Sequence, residues 1–241
     1  MELQKNEDKI DVCANAAHIR ERIDAACLRS GRNSSEVTLV AVSKTKPEEM
    51  VLKAYQGGTR DFGENYAQEM RTKAEDLPKD IRWHFIGHLQ KNKVKYVVPH
   101  ACMIHAVDSL PLAEEIEKEA AKRSIVMPIL LEVNIAGEDT KFGLAADGVL
   151  PFASEMKNFP HLRLEGLMTS APYVTDPEQN RVHFRNLRQL FIDIKSKNID
   201  NVPMNALSMG MTGDFEVAVE EGATLVRVGT GIFGARDYGT R

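Results

Sequence analysis

The sequence predicts a single (β/α)8 barrel, and three observations predict it. Short apolar runs alternate with amphipathic stretches from residue 37 onward, eight of those runs have the length of a strand, and the whole pattern fits within 241 residues. Alternation of this kind is how repeated strand–helix units around a parallel sheet read in sequence. Eight such units in about 200 residues suit a closed barrel better than an open doubly wound sheet, the alternative for the same pattern.

In chain order, strands are expected near residues 37–43, 60–63, 82–87, 102–107, 127–134, 162–168, 203–209 and 224–229. Most carry Val, Ile or Leu on both alternating faces, as strands covered on both sides do; the second has the weakest pattern. Helices are expected near 48–57, 66–76, 88–97, 110–123, 147–157, 177–197 and 214–221. Pro47 suits a first helical turn, Ser109 and Asp176 suit N-caps, and Gly57 and Gly222 suit C-terminal stops. Before the first strand, Ala16, Ile19, Ile23, Ala26 and Cys27 recur at helical spacing. Residues 7–30 are therefore expected to form an added helix that packs its apolar stripe on the barrel and closes its bottom. The barrel itself is expected over about 37–234. With no Gly/Ser/Pro-rich linker in view, one domain over 1–241 is expected.

Composition narrows the function classes. The chain is 43% hydrophobic and 27% charged, as ordinary globular proteins are, and its formal net charge of −4 lacks the basic excess of a nucleic-acid binder. The first eleven residues are charged where a secretory signal needs an apolar stretch, and no run approaches the roughly 18–20 apolar residues of a membrane span. A cytoplasmic monomer is expected. Cys13, Cys27 and Cys102 are odd in number and lack C-x-x-C spacing, so neither a disulfide framework nor a zinc site is indicated.

The chemistry lies in two cations on apolar runs. Lys44 stands just past the first strand, and Arg227 lies inside the last, sharing a face with Leu225 and Gly229. A buried strand seldom takes an unpartnered charge, because desolvating it costs several kcal/mol. The functional groups of an α/β barrel gather at the C-terminal strand ends, with phosphate often held by the loops after strands seven and eight. There lie two small-residue turns, Ser208-Met209-Gly210-Met211-Thr212 and Gly229-Thr230-Gly231. Ser208 can offer a hydroxyl, and Gly210, Thr230 and Gly231 can bring amides close to phosphate oxygens. The combination reads as a site for a phosphate-bearing aldehyde. Each part has a plainer reading: Lys44 as a snorkelling surface group, Arg227 as a structural ion pair with Glu132 or Glu165, the turns as turns alone. Favouring the aldehyde site, a lysine amine desolvated near other cations becomes a nucleophile toward carbonyls.

Other candidates read as structure. His84 and His88 are four apart across a strand-to-loop boundary, which puts them on no common helical face, so no metal is expected. Lys91, Lys93 and Lys95 spread around a helix as a solvated face. Met168, Met204, Met209 and Met211 cluster at strand ends, where methionine usually fills gaps in the core.

Long interrupted strings resemble those of the pyridoxal phosphate homeostasis proteins, single-domain relatives of the N-terminal barrel of alanine racemase. They are residues 41–47 (AVSKTKP), 62–66 (FGENY), 83–93 (WHFIGHLQKNK), 166–168 (GLM), 207–212 (LSMGMT) with Asp214, and 226–234 (VRVGTGIFG). The resemblance implies a single-domain (β/α)8 TIM barrel of the alanine racemase N-terminal type with an extra N-terminal helix. It implies that Lys44 holds pyridoxal 5′-phosphate as a Schiff base and that Arg227 hydrogen-bonds the pyridine nitrogen. It further implies that Ser208, Gly210, Gly229 and Thr230 hold the phosphate, with Asn65 near the ring. Thr212 stands where such sequences often have serine, which keeps the hydroxyl. His88, Gln90 and Asn92 belong to the strings without a role that chemistry assigns.

Racemases of this fold type complete their site with a second, β-rich domain and a tyrosine acid/base, for which this chain is expected to have no room. An arginine at the ring nitrogen also holds that nitrogen unprotonated, which weakens the electron sink. The resemblance therefore implies a carrier that buffers or delivers the cofactor, with apo pyridoxal phosphate enzymes as recipients, rather than an enzyme with catalytic residues. The alternatives are a racemase or decarboxylase working as a lone barrel, and a cofactor-free Schiff-base aldolase.

Overall fold

The computed structural model describes residues 10–138 and 142–235. Eight parallel strands close a barrel: β1 (Thr38–Val42), β2 (Asp61–Glu64), β3 (Arg82–Phe85), β4 (Ala101–Val107), β5 (Met127–Glu132), β6 (Leu162–Met168), β7 (Ala206–Ser208) and β8 (Leu225–Val228). Each pairs with the next, and β8 pairs back to β1 with Val40 opposite Arg227. The helices are α1 (Val12–Arg29) ahead of the barrel, α2 (Glu48–Gln56), α3 (Ala67–Asp76), α4 (Val94–Val97), α5 (Leu110–Ala121), α6 (Ala146–Glu155), α7 (Arg181–Lys195), α8 (Phe215–Glu220) and α9 (Thr230–Phe233).

All eight expected strands form, and the shortened ones have local causes. β7 starts late because Pro203 has no amide to give a ladder and Met204 sits at φ 49, outside the extended region. The helix expected from 88 begins only with a 3-10 turn at Lys91–Lys93. Gly87 explains the delay: a Cβ there would stand 2.5 Å from Asn65 O, so the exit of β3 crosses the exit of β2 at a distance only glycine allows. Gly166 does the same between β6 and β7, where a Cβ would meet Ala206 O at 1.7 Å. Ser109 precedes α5 without a side-chain capping bond, while Asp176 caps as expected, accepting from Glu178 N.

The apolar core has two parts. The larger lies between strands and helices and holds Phe62, Trp83, Phe85, Ile116, Phe184 and Phe215. The smaller lies inside the barrel and consists of Val40, Ala106, Leu130, Met168, Ala206 and Leu225. Beside it stand His84, His105, Ser208 and Arg227, all buried. Met103 packs on the inner core with Ala106, three residues on, which strict alternation forbids; the β4–β5 register shifts between Ile104 and Val107.

The added helix forms but does not close the bottom; the expected start at residues 7–9 lies outside the described residues. α1 runs along the side of the barrel, against α2, α8 and α9. Asn15 Nδ2 donates to Ile232 O beyond β8, whereas Arg20 Nη1 donates to Val37 O ahead of β1. Its stripe of Val12, Ala16, Ile19, Ile23 and Ala26 thereby seals the seam where β8 meets β1, the two strands that carry the cations. Among the described residues, no helix is long and apolar enough to cross a membrane.

Candidate functional site

A cavity of about 430 Å³ opens at the C-terminal end of the barrel. Lys44 and Arg227 both line it, together with Asn65, Gly229 and Thr230 from the expected set. Val42, Ile86 and Ser170 add to its wall, and Thr212, Gly213 and Asp214 form a rim after β7.

The turn that carries Lys44 is pinned from below. Ser43 N donates to Gly63 O, and Ser43 Oγ donates to Glu64 Oε1 at 2.6 Å. Lys73, buried on α3, donates from Nζ to Ser43 O, Glu64 Oε1 and Glu69 Oε1, each at 2.8 Å. Glu69 also accepts the amide of Thr45, a non-glycine residue at φ 63. Burial pushes the Glu64 carboxyl up to about 6 against the pull of Lys73. The amine at 44 is thus projected from a turn fixed on both sides by a second lysine and two carboxylates.

Arg227 is 4% exposed, and its guanidinium donates from Nη1 to Ser208 Oγ at 2.6 Å and from Nη2 to Thr169 O at 2.8 Å. Neither acid that sequence offered as its partner forms an ion pair with it among the described residues. Glu165 is taken by Arg163, and Glu132 acts on Arg227 only through space. Burial lowers the guanidinium to about 10, with Glu132 and Asp214 pulling the other way, so the cation persists at neutral pH on neutral acceptors.

Two residues expected at a phosphate, Ser208 and Gly210, are not part of this lining. Ser208 is fully buried, with its hydroxyl between Arg227 and His105 inside the barrel. Gly210 packs under α8, where a Cβ would stand 2.5 Å from Ala218 Cβ. Neither lines the cavity. Sequence placed both at a strand end correctly, but the alternation of β7 turns Ser208 inward with Ala206. The rim carries free donors: among the described residues the amides of Thr212, Gly213 and Thr230 have no acceptor, and a Cβ on Gly213 would meet nothing within 4 Å. Asp214 shapes this rim, accepting from Met211 N at 2.7 Å and from Asn180 Nδ2 at 2.8 Å.

A second cavity of about 610 Å³ adjoins the first, and Asn65, Ile86 and Ser170 line both. His88 stacks on Phe142 there, with ring centroids 3.9 Å apart. Glu132 faces this second space, and burial pushes its carboxyl up to about 7. Gln90 and Lys93 belong to the same wall. Met211 lines the first cavity, while Met168, Met204 and Met209 are core. No group of three or more candidate metal ligands occurs among the described residues.

Sequence reading missed His105, Asp61 and Asn180. His105 had the same signal as Arg227, one polar residue in an apolar strand, and could have been found by it. Asn180 reaches the rim from the turn before α7, which no spacing rule announces.

The family model described as alanine racemase, N-terminal domain, matches residues 15–237. The pyridoxal phosphate homeostasis protein of Aquifex aeolicus is 43% identical over 95% of this chain and all of its own length. A protein of unknown function from Bifidobacterium adolescentis has a solved structure that superposes with a TM-score of 0.88, at 36% identity over 92% of this chain and 94% of its own. PipY of Synechococcus elongatus, solved with PLP bound, superposes with a TM-score of 0.76 at 34% identity, over 90% of this chain and all of its own.

Proposed function

The chain belongs to the pyridoxal phosphate homeostasis proteins, within the alanine racemase N-terminal domain family, and from that premise we propose that it binds pyridoxal 5′-phosphate in the cavity between Lys44 and Arg227 and serves intracellular homeostasis of that cofactor. The observation that carries the reading is that the two cations, one in the turn after β1 and one on the neighbouring β8, line one space.

The residues fit the cofactor. A volume of about 430 Å³ falls within the roughly 300–1,000 Å³ of small-molecule pockets. When bound, pyridoxal phosphate supplies an aldehyde that condenses with primary amines. Lys44 offers that amine from the turn pinned by Glu64, Glu69 and Lys73. Val42 and Ile86 give the ring apolar contact, and Asn65 has a buried Oδ1 without a partner. Arg227 presents only donors, so it favours a ring nitrogen that stays unprotonated. Thr212, Gly213, Gly229 and Thr230 are the proposed phosphate set, in place of Ser208 and Gly210.

Binding rather than turnover is favoured by how the lining groups are employed. Asp214 is committed to the rim, Arg227 keeps its proton, and Tyr173 is 95% exposed. Proton transfer at an amino-acid carbon needs a positioned acid and base, and this lining supplies neither role readily. Release to apo enzymes that depend on the cofactor is the use such a site suits.

One observation favours a second reading, amino-acid racemisation or decarboxylation by the lone barrel. The adjoining cavity could seat an amine beside Lys44, with Glu132 poised near neutrality. Incubation with single L-amino acids separates the two: the carrier yields no D-isomer or amine above a Lys44→Ala control. The carrier reading itself is tested by titrating purified apoprotein with pyridoxal phosphate and following near-visible absorbance. Saturable uptake that Lys44→Ala abolishes supports it, and no uptake by the wild type overturns it.

A further inference from the structure

A column of hydrogen bonds crosses the inside of this barrel. Barrel interiors are ordinarily filled by branched apolar side chains in layers, and half of this one is. The other half runs from Arg82 and Asp61, at the N-terminal ends of β3 and β2, through His84 and His105 to Ser208 and Arg227 under the cavity. Asp61 Oδ1 lies 3.1 Å from His84 Nε2, His84 Nδ1 2.9 Å from His105 Nε2, and His105 Nδ1 3.0 Å from Ser208 Oγ. Arg227 Nη1 then donates to the same Ser208 oxygen. Both imidazoles and the serine are buried. Polar groups at such depth cost several kcal/mol unless every one is paired, and valine or leucine would fill the same layers without that cost.

We propose, on the cofactor reading above, that His84 and His105 are positioning residues of the site: with Asp61 they hold Ser208 Oγ where Arg227 needs an acceptor, and they tie the protons beneath the cofactor ring to the solvent-facing end of the barrel. The direction of the column follows from what each group can give. Arg227 has only donors, so Ser208 Oγ accepts from it. His84 is faced by Asp61 from β2, by Arg82 on its own strand, and by Cys102 and His105 from β4. Burial opposes charge on His84, but Asp61 and Cys102 outweigh it and bring the imidazole up to about 9. Burial, then the charges of His84 and Arg227, hold His105 well below the usual histidine range.

At neutral pH, therefore, His84 donates from both nitrogens, His105 accepts at Nε2 and donates from Nδ1, and Ser208 Oγ accepts from both His105 and Arg227, its own hydrogen left without an acceptor in the column, a cost that the charge on His84 imposes. Once His84 loses its proton the column can reverse, with Ser208 donating to His105 and His105 to His84. The serine oxygen then accepts only from Arg227 and becomes the stronger acceptor. The guanidinium is drawn toward it and offers less to a ring nitrogen, so cofactor affinity falls as the proton leaves.

The test combines wild-type protein with two variants. In wild type carrying ¹⁵N-histidine, the His84 ring should keep both protons until pH about 9, and saturation with pyridoxal phosphate should move that transition upward. His84→Gln and His105→Leu should each weaken pyridoxal phosphate by about tenfold, the scale of one hydrogen bond to a charged group. They should also remove the alkaline loss of affinity for pyridoxine 5′-phosphate, a probe without an aldehyde, so that Lys44 condensation plays no part. A His84 that is neutral at pH 7, or whose titration ignores the cofactor, overturns the proposal, and that reading needs no variant to fold. Variants that fold and bind as wild type does also overturn it, while leaving the cofactor site intact. Wild type that takes up no pyridoxal phosphate overturns the cofactor reading instead.

Discussion

Lys73 Nζ and Glu64 Oε1 meet at 2.8 Å in a space closed to solvent, directly beneath the turn that presents Lys44. Removing one member of a buried pair leaves the other charge without compensation, which costs roughly 3–5 kcal/mol. Lys73→Met is therefore expected to lower unfolding stability by that amount in urea titrations. It should also slow uptake of pyridoxal phosphate, because Ser43 O and Glu69 lose the group that fixes the turn. Unchanged stability would mean that the pair contributes nothing.

Glu132 gives a pH dependence with a definite sign. Its folded carboxyl is raised to about 7 from an ordinary 4.5, so the folded chain binds the proton more tightly than the unfolded one does. The stability from that proton is full below pH 4.5 and is lost as pH rises through about 7. Glu132→Gln should accordingly unfold with a flatter pH profile and be more stable than wild type at pH 8, by up to about 3 kcal/mol. Urea midpoints at pH 5 and pH 8 check this, and a variant that is less stable at pH 8 refutes it.

Gly166 tests the close approach of β6 to β7. A methyl group there would meet Ala206 O at 1.7 Å, so the strands must part. Gly166→Ala should cost at least about 3 kcal/mol, the range of severe core disruption. It should also disturb Ser208 and Arg227, which stand beyond that contact; a thermal midpoint equal to wild type would contradict the geometry.

The barrel was legible in the sequence because strand periodicity and length are properties of the apolar runs themselves; β6 forms over the residues expected, 162–168. The site was legible wherever a residue's type conflicted with its surroundings, as with Arg227 in an apolar strand. It was illegible where the outcome depended on which face of a short strand turned inward. Ser208 shows this: residue type and strand end suggested phosphate, while the alternation of β7 sent its hydroxyl into the barrel. The side-on course of α1 was equally hidden, since an apolar stripe states that a helix packs without stating where. Thr212 and Gly213 offer the rim backbone amides without an acceptor among the described residues, which side-chain chemistry does not announce.

The phosphate assignment separates two sets of residues. Thr230→Val and Gly213→Val should weaken binding of pyridoxal phosphate more than that of pyridoxal, since only the former carries the group they hold. Gly210→Ala should instead lower stability, because its Cβ would press on Ala218 and Phe215 at φ 89. Equal losses for both ligands with the first pair would return the phosphate to another part of the rim.

On the proposed function, Lys44 is the covalent anchor of the cofactor at a cavity it shares with Arg227. Borohydride reduction of protein saturated with pyridoxal phosphate, followed by peptide mass mapping, tests it most directly. The expected result is the pyridoxyl mass on the peptide containing Lys44 in near-stoichiometric amount; a saturated sample with Lys44 unlabelled and the mass on another lysine would contradict it.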